Sequence, residues 1–256
     1  MADYSTIIFE VREKLGYVTL NRPEKLNSIN HQMIGDLFEV FEEIKYNPDI
    51  WAMVITGTGR AFSTGHDLVD MATTQPVGRH GTATAFYQYL QELYKPTIAA
   101  INGYCLAQGG GIALSCDIRI ASDQAQFGWP QVKRGISSTS GPALLCQRIP
   151  LNIAMEMLFT GDFIDPKRAL ELNLVNKVVP HEQLMDETEK MVRKIMSNAP
   201  LAVRSIKEIG MRGLSLRLEE RVRLAGLLRE EILQSEDAKE GLQAFAEKRQ
   251  PVWKGR

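Results

Sequence analysis

The clearest indication of how this chain folds comes from Asn102-Gly-Tyr-Cys-Leu-Ala-Gln108-Gly109-Gly110-Gly111-Ile-Ala-Leu-Ser-Cys-Asp117. This stretch follows the apolar run of residues 97–101, which predicts a buried strand, and its glycines open a segment of helical composition. Glycine lets the backbone approach a neighbour or a ligand closely, and the free N–H groups at a helix N-terminus stabilise negative charge. The residues therefore favour two interpretations, a site for an oxyanion or anion and a close helix–strand contact lined by glycine.

The segments before this stretch alternate between strand and helix patterns. Residues 7–10 and 17–20 predict a hairpin with its turn at Lys14-Leu15-Gly16. Apolar side chains then recur at helical spacing from Met33 to Ile44, with Asn30 as the expected N-cap, and residues 52–56 predict a buried strand. This order of elements predicts an α/β fold with parallel strand pairing.

Strand patterns become sparse after about residue 141. Asp165-Pro166 predicts an N-cap with proline in the first helical turn, and residues 181–249 are expected to be almost wholly helical. Residues 71–84 are polar, rich in turn residues and without a period. A loop of this length in a compact domain is typical of a lid over a binding site, which is what we expect here.

The composition excludes several classes of protein. The 256 residues include 30 Lys+Arg and 31 Asp+Glu, so we expect no nucleic-acid partner. No apolar run approaches the roughly 18 residues that span a bilayer, and no leader pattern is present, so we expect no membrane contact and a cytoplasmic location. The three cysteines, Cys105, Cys116 and Cys146, lack a CxxC spacing and predict reduced thiols without a metal site.

A second segment with candidate catalytic side chains follows a predicted strand and reads Arg60-Ala-Phe-Ser-Thr-Gly65-His66-Asp67-Leu68. The imidazole of His66 is a candidate general base, although a histidine without an evident acid or nucleophile partner is more often structural. Cys105 is a candidate nucleophile with the same alternative. The residues alone leave both questions open.

Several segments, in this order and spacing, resemble one known family. They are Ala61-Phe-Ser-Thr-Gly-His-Asp-Leu68, Lys95-Pro-Thr-Ile-Ala-Ala-Ile-Asn-Gly-Tyr104 with the glycine cluster, Cys116-Asp-Ile-Arg-Ile-Ala-Ser-Asp123, Phe127-Gly-Trp-Pro130, Thr160-Gly-Asp162, Leu174-Val-Asn-Lys-Val-Val179 and the tail from Phe245 to Trp253. The chain resembles the crotonase (enoyl-CoA hydratase/isomerase) superfamily over nearly its whole length. The resemblance implies a spiral of ββα units over residues 1–195 that binds acyl-CoA. It also implies a C-terminal helical region, residues 196–256, that builds a homotrimer or hexamer.

The resemblance also implies the chemistry of the site. In crotonases two backbone N–H groups polarise the thioester carbonyl of an acyl-CoA and stabilise the enolate that forms beside it. One of them belongs to His66. An ungapped count from Asn102 to Asp117 places the other at Gln108, which we prefer, whereas alignment on the three glycines places it at Gly110. Coenzyme A enters as part of the substrate, and no separate cofactor or metal is expected.

Coenzyme-binding residues can be assigned by the same resemblance. Asp67 belongs to the first motif, where its carboxylate is expected to brace the oxyanion turn by accepting backbone N–H bonds. The pantetheine arm and the nucleotide are expected to lie along Lys25, Leu26, Ala61, Ser63 and Thr64, with Phe245 and Lys248 completing the nucleotide end.

The chain departs from the family at the two positions where hydratases carry catalytic glutamates. These positions hold Gly111 and Gln131, and in the alternative alignment the first is Ala113. The amide of Gln131 can hold a water molecule but cannot take a proton near neutral pH. Losing one positioned general acid or base typically costs about 10²- to 10⁴-fold in rate. We therefore expect a poor hydratase.

Other polar residues offer substitutes for the missing carboxylates. Within Ser137-Ser138-Thr139-Ser140, the hydroxyl of Ser138 or Thr139 could orient water or a substrate group, or could cap a helix that starts near Pro142. Tyr104, Glu92 and Asp67 are further candidates for proton transfer. The expected function is an acyl-CoA thioester enzyme that stabilises an enolate. The alternatives are a noncatalytic acyl-CoA-binding paralogue or a crotonase-type isomerase, decarboxylase or thioester hydrolase.

Overall fold

The computed structural model describes residues 4–73 and 83–256, and its strands form two sheets. The strands are β1 (Ile7–Arg12), β2 (Leu15–Leu20), β3 (Ala52–Gly57), β4 (Ala61–Ser63), β5 (Thr97–Ile101), β6 (Tyr104–Leu106), β7 (Ile118–Ser122), β8 (Gln126–Gly128), β9 (Phe163–Ile164) and β10 (Lys177–Val179). The α-helices of the described residues are α1 (His31–Tyr46), α2 (Leu68–Thr73), α3 (Ala83–Gln91), α4 (Gln108–Ser115), α5 (Ser140–Leu144), α6 (Leu151–Thr160), α7 (Pro166–Glu171), α8 (Leu184–Met196), α9 (Pro200–Arg212), α10 (Leu218–Leu233) and α11 (Glu236–Glu247).

The chain alternates between the two sheets. The larger sheet has the order β1-β2-β3-β5-β7-β10 and the smaller one the order β4-β6-β8-β9. Each of β3, β5 and β7 is followed directly by a short strand of the smaller sheet and then by helix, which gives three successive ββα units. The pairs β1–β2 and β8–β9 are antiparallel, and the other pairs are parallel. The predicted α/β class with parallel pairing is confirmed.

The central strands β3 and β5 of the larger sheet are buried on both faces, and their side chains alternate between two cores. On β3, Met53 and Ile55 join the main core, whereas Ala52 and Val54 join a second core beneath α8. On β5 the alternation places Ile98 in the second core. A strand with both faces covered is apolar throughout, which explains why these runs are readable in the sequence.

Local sequence signals set the ends of the first elements. The side chain of Asn30 accepts the N–H of Met33 at 2.9 Å, so the predicted N-cap of α1 is confirmed. The predicted hairpin turn at Lys14-Leu15-Gly16 is wrong, because Leu15 and Gly16 already pair with β1. The turn consists of Glu13 and Lys14 with φ of 48° and 67°. Two residues of positive φ match the twist of the flanking strands, so the strands continue right up to them.

Helices make up the C-terminal part of the chain. The last strand ends at Val179, and α8 to α11 occupy most of the sequence that follows, as predicted for residues 181–249. Of the predicted lid, residues 71–73 end α2 and residues 83–84 begin α3, and the remainder lies outside the described residues. Within residues 4–73 and 83–256, no helix is both long and apolar enough to cross a bilayer.

Candidate active site

A cavity of about 860 Å³ opens at the N-terminus of α4, beside the smaller sheet. We call it the main cavity. Its walls come from the turn after β4, from the start of α4, from one residue of α3 and from the segment between β8 and α5. The residues that line it include Leu26, Thr64, His66, Tyr87, Gln108, Gln131, Lys133, Arg134, Ser138 and Ser140.

The turn after β4 packs directly on the start of α4. A Cβ atom at Gly65 would lie 2.7 Å from the Cβ of Ala107 and 3.1 Å from the backbone nitrogen of Gln108, and Gly65 has a φ of 91°. Only glycine fits this contact and this backbone conformation. The close approach places the backbone of His66 and that of Gln108 side by side in the cavity wall. The expectation that these two residues share one site agrees with the structure.

Neither the N–H of His66 nor that of Gln108 has an acceptor in the described parts of the chain. The carbonyl of Ala107 belongs to the same peptide unit as the Gln108 N–H. It accepts hydrogen bonds from Ser140 Oγ at 3.0 Å and from the N–H of Gly111 at 3.1 Å. Since the carbonyl and the N–H of a trans peptide point in opposite directions, these bonds aim the Gln108 N–H away from Ser140.

A buried chain of hydrogen bonds supports this peptide. Trp129 Nε1 donates to Ser140 Oγ at 3.0 Å, and Ser140 Oγ donates in turn to Ala107. Trp129 is 1% exposed and Ser140 is 2% exposed. Ala107 itself has φ 52° and ψ −116°, a conformation that non-glycine residues rarely adopt. The hydrogen bonds therefore hold a backbone unit that would not keep this shape by itself.

The three glycines of α4 each face a different neighbour. A Cβ at Gly109 would lie 2.4 Å from the carbonyl of Ser63, and one at Gly110 would lie 2.7 Å from the ring of Trp129. At Gly111 it would lie 2.6 Å from the ring and hydroxyl of Tyr87. The predicted close helix–strand contact is confirmed at Gly109, which meets β4, whereas Gly110 meets Trp129 after β8 and Gly111 meets α3. The contact at Gly109 coexists with the N–H of Gln108 at the start of the same helix, which has no acceptor in the described chain.

Asp67 braces the turn that carries His66. Its carboxylate accepts Arg22 Nη2 at 3.0 Å and the N–H groups of Val69 at 3.2 Å and Asp70 at 3.4 Å. Burial raises the pKa of Asp67, but the hydrogen bonds from Arg22 and from the two amides lower it by more in total. Asp67 is thus an ionised support for the turn and does not line the main cavity.

The segment before α5 supplies a donor and an acceptor to the cavity. Ser138 Oγ accepts Gln131 Nε2 at 3.3 Å and the N–H of Gly141 at 3.1 Å. Ser138 therefore caps the first turn of α5, and Thr139 makes no side-chain capping bond. With both lone pairs of Ser138 engaged, its proton is free to be donated. Gln131 Oε1 is buried without a partner in the described chain, so it can accept.

The titratable groups of the main cavity include no carboxylate. None of the lining residues within the described chain is an aspartate or a glutamate. Burial, aided by the nearby His31, lowers the pKa of His66 and favours a neutral imidazole. Burial raises the pKa of Tyr87 to about 12, although the neighbouring Ser140 hydroxyl acts in the opposite direction. Lys133 pairs with Asp162 at 2.7 Å.

The residues assigned to coenzyme binding lie in several places. Leu26 and Thr64 line the cavity, where the Thr64 N–H donates to the carbonyl of Leu26 at 3.2 Å. Ala61 and Ser63 are fully buried behind this wall, and Lys25 is exposed on the turn before Leu26. Phe245 and Lys248 lie at the end of α11 and do not line the main cavity of the described chain.

The remaining candidates lie outside the cavity. Tyr104 lines a separate surface hollow, and Glu92 accepts a hydrogen bond from Gln88. Gly111 is buried in α4 and contributes no functional group. Cys105 is fully buried, and this burial raises the pKa of its thiol well above the usual range, so Cys105 is not an activated nucleophile.

Tyr87 is absent from the residues predicted for the site, and Trp129 and Ser140 were named only within longer segments, without the roles they have in the structure. Tyr87 comes from α3, about twenty residues before the glycine stretch, and periodicity in α3 does not show which side chain faces α4. The one available signal was the run of glycines itself. Consecutive glycines inside a helix indicate bulky neighbours, but they do not identify them.

Comparison with known proteins extends over almost all of the chain. The profile of the enoyl-CoA hydratase/isomerase family matches residues 10–256. (E)-benzylidenesuccinyl-CoA hydratase of Thauera aromatica is 38% identical over 260 residues, which cover 97% of this chain and 99% of that protein. A carnitinyl-CoA dehydratase of Citrobacter koseri is 39% identical over 252 residues, with 93% and 94% covered.

Solved structures agree with these matches. The crystal structure of an enoyl-CoA hydratase from Mycobacterium tuberculosis superposes on this chain with a TM-score of 0.92 at 33% identity, covering 98% of this chain and 99% of that one. The resemblance inferred from the sequence and the crotonase fold class are confirmed. The chain belongs to the enoyl-CoA hydratase/isomerase family.

Proposed function

We propose that the chain is an enzyme that binds an acyl-CoA thioester and stabilises its enolate with the backbone N–H groups of His66 and Gln108. The observation that carries the proposal is the pair of adjacent amides without acceptors in the wall of the main cavity. Such an amide pair can bind the thioester oxygen, and it binds that oxygen more strongly once negative charge develops there.

The reaction that follows enolate formation is proposed to be shaped by neutral groups. Two relatives are named for hydration and dehydration of CoA thioesters. The cavity of this chain offers the amide of Gln131 and the hydroxyl of Ser138, and no lining carboxylate in the described residues. This lining favours a second candidate beside slow hydration, namely isomerisation, decarboxylation or thioester hydrolysis. A noncatalytic acyl-CoA-binding role is the third.

Calorimetric titration with a series of acyl-CoA thioesters tests the binding step. We expect dissociation constants below millimolar, and an absence of binding in that range refutes the proposal. Mass spectrometry over a panel of enoyl-, hydroxyacyl- and malonyl-type thioesters then separates the candidate reactions by their products. Binding without conversion of any thioester identifies the noncatalytic role.

We further propose a homotrimer or hexamer built by the C-terminal helices. Large apolar side chains of α9 and α10 are exposed in the isolated chain, among them Ile206, Leu218, Val222 and Leu227. Phe245, which is 87% exposed, and Lys248 are proposed to complete the nucleotide end of the coenzyme site. Coenzyme A is proposed to enter as part of the substrate, without a separate cofactor, and a cytoplasmic location stays a prediction. Sedimentation velocity tests the oligomer, which a single species at 28.7 kDa would refute.

A further inference from the structure

Tyr87 occupies the space into which a side chain at residue 111 would extend. A Cβ atom at Gly111 would lie 2.6 Å from the hydroxyl oxygen, the Cζ and the Cε1 of Tyr87. Real Cβ atoms do not approach other heavy atoms so closely, so a larger residue at position 111 and the observed Tyr87 ring exclude each other. The phenol therefore stands at the place from which a carboxylate on residue 111 would start.

The hydroxyl of Tyr87 belongs to the wall of the main cavity. Tyr87 is 5% exposed and lines this cavity together with His66 and Gln108. Its edge-on contact with Phe86 and its packing against Gly111 fix the ring. Ser140, which holds the peptide of Gln108, lines the same cavity and acts on the phenol by lowering its pKa against the larger effect of burial. The phenol and the peptide of Gln108 therefore share Ser140 as a neighbour in one cavity wall.

Among the lining residues that the structure describes, Tyr87 carries the most acidic hydroxyl, because aliphatic hydroxyls, that of Ser138 included, are weaker acids than a phenol. His66 has a lowered pKa and is neutral, and the amide of Gln131 carries no acidic proton. Lys133 is half exposed at the cavity rim and is bound to Asp162. Tyr87 remains as a buried, neutral O–H group beside the free amides.

We propose that Tyr87 is a catalytic residue that delivers the proton to the α-carbon of the enolate, in place of a carboxylic acid at residue 111. The inference rests on the proposed function, because it requires an enolate held by His66 and Gln108. In the step, the phenolic O–H bond breaks and a C–H bond forms from the electron pair of the enolate, while the thioester carbonyl is restored. The resulting phenolate recovers its proton from water.

Tyr87→Phe tests this role, because it removes only the oxygen and keeps the ring against Gly111. The matched control is Tyr89→Phe, since Tyr89 lies in the same helix, has a buried hydroxyl without a partner in the described chain and does not line the cavity. Turnover of the thioester panel, deuterium uptake at the α-carbon in D₂O, acyl-CoA affinity and thermal melting are measured for each protein.

We expect Tyr87→Phe to lower the rates of turnover and of α-carbon deuteration by about 10²-fold or more. Its melting temperature and its affinity for acyl-CoA should be unchanged. Tyr89→Phe should equal the wild type in all four measurements. Equal turnover in Tyr87→Phe and wild type overturns the inference. A wild-type protein that binds thioesters but converts none also overturns it, although thioester binding then stands. Absence of binding overturns the proposed function itself.

A second measurement uses the wild-type protein alone, so it tests the inference even if Tyr87→Phe fails to fold. An acid with a pKa near 12 keeps its proton throughout the neutral and mildly alkaline range. We therefore expect the wild-type rate at saturating thioester to stay level from about pH 7 to 9. A fall through an apparent pKa within that window would identify a different acid and overturn the inference.

Discussion

Replacing Ser140 with alanine should damage both stability and turnover, for separable reasons. Ser140 Oγ is the acceptor for Trp129 Nε1 and a donor to the carbonyl of Ala107, each at 3.0 Å. Without Ser140 Oγ, the buried indole N–H loses its partner, which costs about 1–3 kcal/mol, and the lost bond to Ala107 costs about 1 kcal/mol more. We expect the free energy of unfolding in urea to fall by about 2–4 kcal/mol.

The effect on turnover follows from the peptide between Ala107 and Gln108. Its conformation at Ala107, with φ 52° and ψ −116°, stores strain of about 1–3 kcal/mol. Once the Ser140 bond is gone, the peptide can rotate and withdraw the Gln108 N–H from the cavity. Loss of one such donor lowers kcat by about 10²- to 10³-fold. Affinity for the thioester should change less, because the amide favours the enolate over the ground state.

Ser115→Ala is the matched control for this prediction. Ser115 is 2% exposed on α4 and donates to the carbonyl of Gly111 at 2.9 Å, so its loss also removes one buried hydrogen bond. It does not contact the Ala107 peptide, and we expect a stability loss of about 1 kcal/mol with full turnover. The reasoning about Ser140 is refuted if Ser140→Ala is destabilised as expected and still turns thioester over at the wild-type rate.

Three further outcomes are expected. Ala107→Gly should raise the free energy of unfolding by about 1 kcal/mol, since relief of strain exceeds the added freedom of the unfolded chain, and lower stability in urea would contradict this. Gly111→Ala should lower the free energy of unfolding by about 1–3 kcal/mol, because the added methyl group overlaps Tyr87. Gly35→Ala is the control, since a Cβ atom there meets open space and should cost no stability. Equal melting temperatures of the two variants would contradict the predicted overlap. Burial lowers the pKa of His66, so as the pH falls His66 takes up a proton in the unfolded state before it does so in the folded state. The free energy of unfolding should therefore decrease below about pH 6.5, by at most about 1.4 kcal/mol per pH unit. The same dependence of stability on pH in His66→Asn would disprove the assignment to His66.

Much of the fold was predictable because its signals are local. The Asn30 cap, the apolar face of α1 and the strands at residues 52–56 and 97–101 depend on neighbours within one element, and the structure contains each of them. The hairpin turn was predicted at the wrong residues because Gly16 is the residue that most favours a turn. The chain instead reverses at Glu13 and Lys14, which adopt positive φ angles although they are not glycine.

Within the candidate site, the proximity of two backbone segments was predictable. The neighbourhood of His66 and Gln108 follows from motifs in register, and the structure brings the two residues together. The supports of the site were not predictable, because Ser140 reaches Ala107 across 33 positions of sequence and Tyr87 reaches Gly111 from a separate helix. Such contacts depend on the assembled packing of three elements, which neither periodicity nor spacing encodes.

The contact between Gly111 and Tyr87 also limits the order in which this lineage could change its chemistry. A glutamate introduced at residue 111 would overlap the phenol of Tyr87, so this substitution alone would destabilise the fold. A smaller residue at position 87 would have to come first, and that change discards the phenol. A stepwise route to a carboxylate at this position that avoids the conflict therefore passes through an intermediate sequence that has neither group.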